Sequence, residues 1–184
     1  MATSTREGAA FSPESLDGGG GDPGYEPPIE AYPTGNHGGT RWATDGIVLH
    51  STRGGADTPE REYQGTINWF RNPASQASSH IVIAHDGRVA DMVDHSLIAW
   101  HAGYHNTRFL GVEIVQPRLG DPFSQAQFRS LAWWLRQMAS FYGFPLDDLT
   151  VRLTLHDSVL TLSPLDFGAA GGHLRAIIVL DGRK

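Results

Sequence analysis

Apolar and polar positions change their spacing several times along the chain. Short β-branched runs at Ile47-Val48-Leu49 and Ile81-Val82-Ile83-Ala84 predict buried strands. Asp86-Gly87 follows the second run as a tight-turn pair, and Arg88 to Val93 answers it as the returning arm of a hairpin. Leu110 to Val115 is a further strand, apolar except at Glu113, and Val151, Leu153 and Leu155 alternate with polar residues as in a strand with one buried face. Two segments switch to helical spacing. Thr58-Pro59-Glu60 supplies a cap, a proline at the first helical position and a first-turn acid, opening a helix that runs to about Phe70 and stops at Asn72-Pro73. Ser124 with Gln127 three residues later is a capping-box pattern. The stripe Phe128, Leu131, Leu135, Met138 and Tyr142 then carries a second helix to Gly143 and Pro145, and such a stripe packs on a core. Strands interleaved with helices predict an α/β fold, a mixed central β-sheet flanked by helices, with no internal repeat.

Composition sets the bounds of this domain. A chain of 184 residues, 40% hydrophobic and 18% charged, suits one globular domain. Residues 1–40 hold 9 of the 22 glycines and 5 of the 11 prolines. We therefore read residues 1–26 as a flexible Gly/Pro-rich arm and residues 27–184 as the domain. No apolar run approaches the ~18 residues of a membrane helix, so no membrane insertion is expected. The net charge of −6 disfavours nucleic acid as a partner, since that needs a basic face. Met1 to Ala10 carries Arg6 and Glu7 with no apolar run behind them, so no signal peptide is recognised. The chain lacks cysteine, which excludes disulfides, thiolate metal sites and Cys nucleophiles. It has nine histidines, and any metal site must draw on those and on carboxylates.

Two of the histidines follow strands directly. His50 succeeds Ile47–Leu49 and His156 succeeds Val151–Leu155, so both imidazoles reach the carboxyl ends of strands if the two strands are parallel neighbours. Such a pair, without thiols, suits zinc, although spacing alone favours reading each as an ordinary hydrogen-bonded histidine. Asp166 lies ten residues beyond His156, either as a third ligand or as a solvated loop carboxylate. Glu113 interrupts an apolar strand, so its face is either wet or buried for a purpose; a carboxylate beside a metal-activated water is a candidate general base.

In chain order, Ile47-Val48-Leu49-His50-Ser51-Thr52, Ser78-Ser79-His80-Ile81-Val82-Ile83, Asp86-Gly87-Arg88-Val89, Ala99-Trp100-His101-Ala102-Gly103 and Leu110-Gly111-Val112-Glu113-Ile114 resemble the zinc-dependent N-acetylmuramoyl-L-alanine amidases, a family shared by phage endolysins and peptidoglycan recognition proteins. The resemblance covers residues 40–168 and implies one amidase or peptidoglycan-recognition-type domain. It implies hydrolysis of the amide between the lactyl group of muramic acid and the L-alanine of the stem peptide, with zinc (Zn2+) as cofactor and peptidoglycan or muropeptides as partner. By position, it makes His50, His156 and Asp166 the metal ligands, Glu113 the general base, and Trp100 and His101 substrate-binding residues. His80 becomes structural or cleft-lining. The third ligand departs from the family pattern, which reads Lys, any residue, Asp, Pro, Gly: Pro164 stands at the Lys position and Phe167 follows Asp166. A second alignment sets Ser163 where catalytic members of the other branch carry Cys, the pattern of non-catalytic peptidoglycan-binding modules. The interval after His156 and the presence of Glu113 favour Asp166.

Of the other histidines, His37 and His173 are expected in solvent, His85 in a turn, and His95 and His105 beside the Trp100-His101 loop with His105 at the cleft edge. The expected state is a monomer. Its setting is either the cytoplasm or release from a phage to the cell wall.

Overall fold

Both helices form from the caps that the sequence supplies. The computed structural model describes residues 24–142, 151–156 and 159–164. Helix α1 spans Pro59–Arg71; the Thr58 hydroxyl accepts the Arg61 N–H at 3.2 Å, and Asn72 closes the far end by donating to the carbonyls of Asn68 and Trp69. Helix α2 spans Gln125–Tyr142. Its capping box is complete: Ser124 Oγ accepts the Gln127 N–H at 3.0 Å, and Gln127 Oε1 accepts the Ser124 N–H at 2.9 Å.

Strands β1 (Ile29–Ala31), β2 (His37–Thr40), β3 (Gly46–Ser51), β4 (Ile81–Ile83), β5 (Val89–Asp91), β6 (Leu97–Ala99) and β7 (Phe109–Ile114) surround these helices. Five of them make a mixed sheet in the order β1-β5-β4-β7-β3, in which only β4 and β5 run antiparallel. Those two are the predicted hairpin, turned at Asp86-Gly87 with Ile83 opposite Val89. Strands β2 and β6 pair separately. The sequence pattern did not mark β1, β2 or β6. Each is only three or four residues long, and β2 reads His-Gly-Gly-Thr, with no alternation to detect. Tyr25, inside the segment expected to be a flexible arm, packs on α2: its hydroxyl lies 2.9 Å from Ser130 Oγ and its ring lies 4.3 Å from the Arg129 guanidinium carbon.

The sheet separates two apolar layers. Ile47, Leu49, Ile81, Ile83, Leu110, Val112 and Ile114 pack against Leu131, Trp134, Leu135 and Met138 of α2. On the other face, Tyr63, Ile67 and Phe70 of α1 cover Val82, Ala90 and Met92. Helix α1 thus seals the β4–β5 half of its face, and the β3–β7 half lines a cavity.

Strand β8 (Val151–His156) pairs antiparallel with β9 (Val159–Pro164), setting His156 opposite Val159. Convergence of His156 with His50 was conditional on β8 lying parallel and adjacent to β3. Among the described residues β8 pairs with β9 and joins no strand of the central sheet. The register sets Leu153 opposite Leu162 and Leu155 opposite Leu160, and β9 is a strand that the sequence pattern did not mark. Asp166 lies outside the described residues.

Leu110 is fully buried in the strand between β4 and β3. Leu110→Ala should lower the unfolding free energy by about 2–5 kcal/mol in a urea titration. A loss below about 1 kcal/mol would contradict the place given to β7 in the core.

Candidate active site

Residues directly paired on neighbouring parallel strands project from the same face of a sheet. The β3–β7 register pairs Gly46 with Phe109, Val48 with Gly111 and His50 with Glu113. The intervening residues, Ile47, Leu49, Leu110 and Val112, all point into the α2 core. His50 and Glu113 therefore face the α1 side together, and both line a cavity of about 910 Å³ between the sheet and α1. Glu113 is only 8% exposed, which resolves its two readings: it is a buried carboxylate on a cavity wall.

Gly111 makes room for the next group. A Cβ there would lie 2.6 Å from His101 Cγ, so the imidazole of His101 occupies the space that any other residue of β7 would fill. Asn106 Oδ1 accepts the N–H groups of His101 and Ala102, at 3.1 and 2.6 Å, and holds the approach loop. His101 Nε2 lies 3.2 Å from the Phe109 carbonyl and its Nδ1 lies 3.1 Å from His50 Nε2. A carbonyl can only accept, so the proton of neutral His101 sits on Nε2 and its Nδ1 accepts from His50 Nε2. The lone pair of His50 is then on Nδ1, the nitrogen suited to a metal.

His80 grips the same glycine from within. Its Nδ1 accepts the Gly111 N–H at 2.9 Å, its Nε2 donates to the Leu97 carbonyl at 3.1 Å, and the residue is fully buried. That makes His80 structural. His95 stacks on it with ring centroids 5.9 Å apart and accepts from Trp134 Nε1 at 3.3 Å, so four imidazoles connect the cavity to α2. Burial pushes the pKa of His80 well below 6.5 and that of His101 down to about 4, with the hydrogen bonds to Leu97 and Phe109 opposing it. Burial lowers His95 as well, against Asp91 and Asp94.

Other expected residues fall differently. His105 lines the cavity, as expected. Trp100 is half-buried with its backbone clasped by Ser78, and the cavity lining does not include it. His37 is half-buried in β2, its Nδ1 bonded to the Gly38 carbonyl at 2.8 Å, rather than standing in solvent. Glu62 and Arg53 went unnoticed in the sequence. Glu62 is 3% exposed and its carboxylate accepts the N–H groups of Gly54 and Ala56, at 2.5 and 3.1 Å, closing the loop after β3. The signal for Glu62 was faint: an acid in the first turn of a helix is read as a dipole partner.

Among the described residues no group of three histidines and carboxylates could hold a metal. The tautomer of His50 and the buried oxygen donors of Glu113 suit a cation, and both ring nitrogens of His101 are already engaged. His50, one of the three expected ligands, stands on the cavity wall with a ring nitrogen suited to the metal.

Gly111→Ala should push the His101 ring away and lower stability by about 1–3 kcal/mol, read by urea titration together with a changed His101 imidazole NMR signal. An unmoved signal would contradict the packing described. The pH dependence follows from the three lowered imidazoles. The unfolded chain takes up protons near pH 6.5 that the folded chain refuses, so this stabilisation is complete above that value and is lost as the pH falls towards the folded value, about 4 for His101. The urea midpoint should fall between about pH 7.5 and about pH 5, and an unchanged midpoint would contradict buried neutral imidazoles.

Comparison with known proteins places this geometry. Residues 40–167 match the sequence model of the N-acetylmuramoyl-L-alanine amidase family. N-acetylmuramoyl-L-alanine amidase A of Achromobacter lyticus is 38% identical over 71 residues, which is 38% of this chain and 36% of that protein, so the match spans about a third of the relative's length. Two solved structures share the fold. The Staphylococcus aureus hydrolase AmiA in complex with its ligand has a TM-score of 0.52 at 24% identity, covering 72% of this chain and 65% of that one. The Drosophila peptidoglycan recognition protein SA has a TM-score of 0.52 at 16% identity, covering 63% and 74%. A family match over more than half the chain, carried by the strands that hold His50 and Glu113, shows that the chain belongs to the N-acetylmuramoyl-L-alanine amidase family.

Proposed function

We propose that this chain is a zinc-dependent amidase that hydrolyses the bond between the lactyl group of N-acetylmuramic acid and the L-alanine of the peptidoglycan stem peptide. The observation that carries the reading is the in-register pairing of His50 with a buried Glu113 on the wall of the cavity. Zinc would be held by His50, with His156 and Asp166 as the other two ligands. When bound, it supplies a Lewis acid for the scissile carbonyl and lowers the pKa of water to about 7.

The remaining steps belong to the chain. Glu113 accepts a proton from the attacking water, whose oxygen bonds to the lactyl carbonyl carbon. As the C–N bond breaks, Glu113 passes the proton to the departing alanine nitrogen, leaving a lactyl carboxylate and a free amine. His101, neutral through burial, places no competing positive charge beside His50 and holds its ring in one tautomer. The overall charge of −6 gives no attraction to anionic wall polymers, so recognition rests on the cavity.

Pro164 and Ser163 favour a second reading, a module that binds peptidoglycan without cleaving it. Loss of one transition-state partner at the Lys position can cost ~100-fold or more in rate. Elemental analysis for zinc and assay of amine release from muropeptides separate the two. The amidase contains zinc and loses turnover to a chelator, and Glu113→Gln lowers turnover about 10²–10⁴-fold while zinc and binding to sacculi persist. A metal-free protein that binds sacculi and releases no amine would overturn the amidase and leave the binding module.

A further inference from the structure

Arg53 lies at the edge of the cavity, three residues beyond His50, in a backbone conformation that non-glycine residues seldom adopt (φ 47°). The loop around it is fixed from two sides. Thr52, Arg53 and Gly55 donate their N–H groups to the carbonyls of Ile114, Gln116 and Pro117, and Glu62 accepts from Gly54 and Ala56. A Cβ on Gly54 would lie 2.7 Å from Glu62 Oε1, so the loop closes tightly on that carboxylate. A rigid loop therefore presents the Arg53 side chain.

Its guanidinium is not spent on the fold. Nε and Nη2 are both buried without a hydrogen-bond partner. Glu62 is occupied by the loop N–H groups, and Arg61, the other arginine on the cavity wall, pairs with Asp57 at 2.5 Å. Burying two donors on a cation without an acceptor is unfavourable, and a carboxylate that meets that edge in a two-point fork relieves it. Arg53 lines the cavity, and a carboxylate bound there meets that edge once the side chain turns towards it.

We propose that Arg53 binds a carboxylate on the peptide side of the scissile amide and so sets which stem peptides the cavity accepts. This rests on the proposed amidase reading for the direction of the substrate. Stem peptides differ in whether the residue after L-alanine carries a free carboxylate or a carboxamide, and the Arg53 fork distinguishes these by charge.

The test is binding, which does not need turnover. In the full chain carrying Glu113→Gln, calorimetry compares N-acetylmuramoyl-L-alanyl-D-glutamate with its D-isoglutamine counterpart, a carboxamide replacing the α-carboxylate. The carboxylate form should bind about ten- to a hundredfold more tightly. Adding Arg53→Gln should remove that preference, and Arg53→Lys, which keeps the charge without the fork, should retain only part of it. Equal binding of the two compounds by the parent, no binding of either, or a preference undiminished in Arg53→Gln would overturn the proposal. If Arg53→Gln does not fold, Arg53→Lys decides: a full preference there overturns it. A carboxylate preference that depends on Arg53, in a chain whose unsubstituted form releases no amine, would sink the amidase reading and leave this inference standing.

Discussion

The site depends on the parallel register of β3 and β7. Because Val48 lies opposite Gly111 and His50 opposite Glu113, one face of this pair is apolar and covered by α2 while the other carries the chemistry. A slip of one residue would send Glu113 into the α2 core and Val112 into the cavity, so burial of the apolar face specifies the functional face as well. The same pairing continues past the strand ends through Thr52 and Gln116, which exchange hydrogen bonds at 3.1 and 3.3 Å. Loop 52–56 is therefore an extension of the sheet.

Gly111 couples the sheet to the histidines. Its missing side chain admits His101, and its N–H is taken by His80. The cost of burying imidazoles is limited by keeping them neutral and hydrogen-bonded. It is repaid at His50, whose ring is held in one tautomer by an uncharged imidazole. Rigid placement of a histidine and a carboxylate on one cavity wall is the arrangement that hydrolysis of an unactivated amide requires.

Much of this was legible in the residues. Both helices announced their ends through side chains that cap them, and the Asp86-Gly87 hairpin formed where its turn pair stood. Glu113 stood out as the one polar position in an apolar strand, and that proved to be the residue facing the cavity. Three things were not legible. Strands β1, β2 and β6 are too short or too glycine-rich to show a period, and exist through their partners' hydrogen bonds. Glu62 and Arg53 derive their roles from a loop closure between distant backbone groups, which sequence spacing does not encode. The third is the pairing of β8 with β9, because alternation within one strand does not name its partner.

The central claim, hydrolysis of the lactyl–alanine amide, is tested most directly by digesting peptidoglycan fragments in ¹⁸O-enriched water and locating the isotope by mass spectrometry. The account predicts one ¹⁸O atom in the lactyl carboxylate of muramic acid and an unlabelled peptide with a free L-alanine amine. Label in a peptide carboxylate, or fragments recovered uncut, would contradict it.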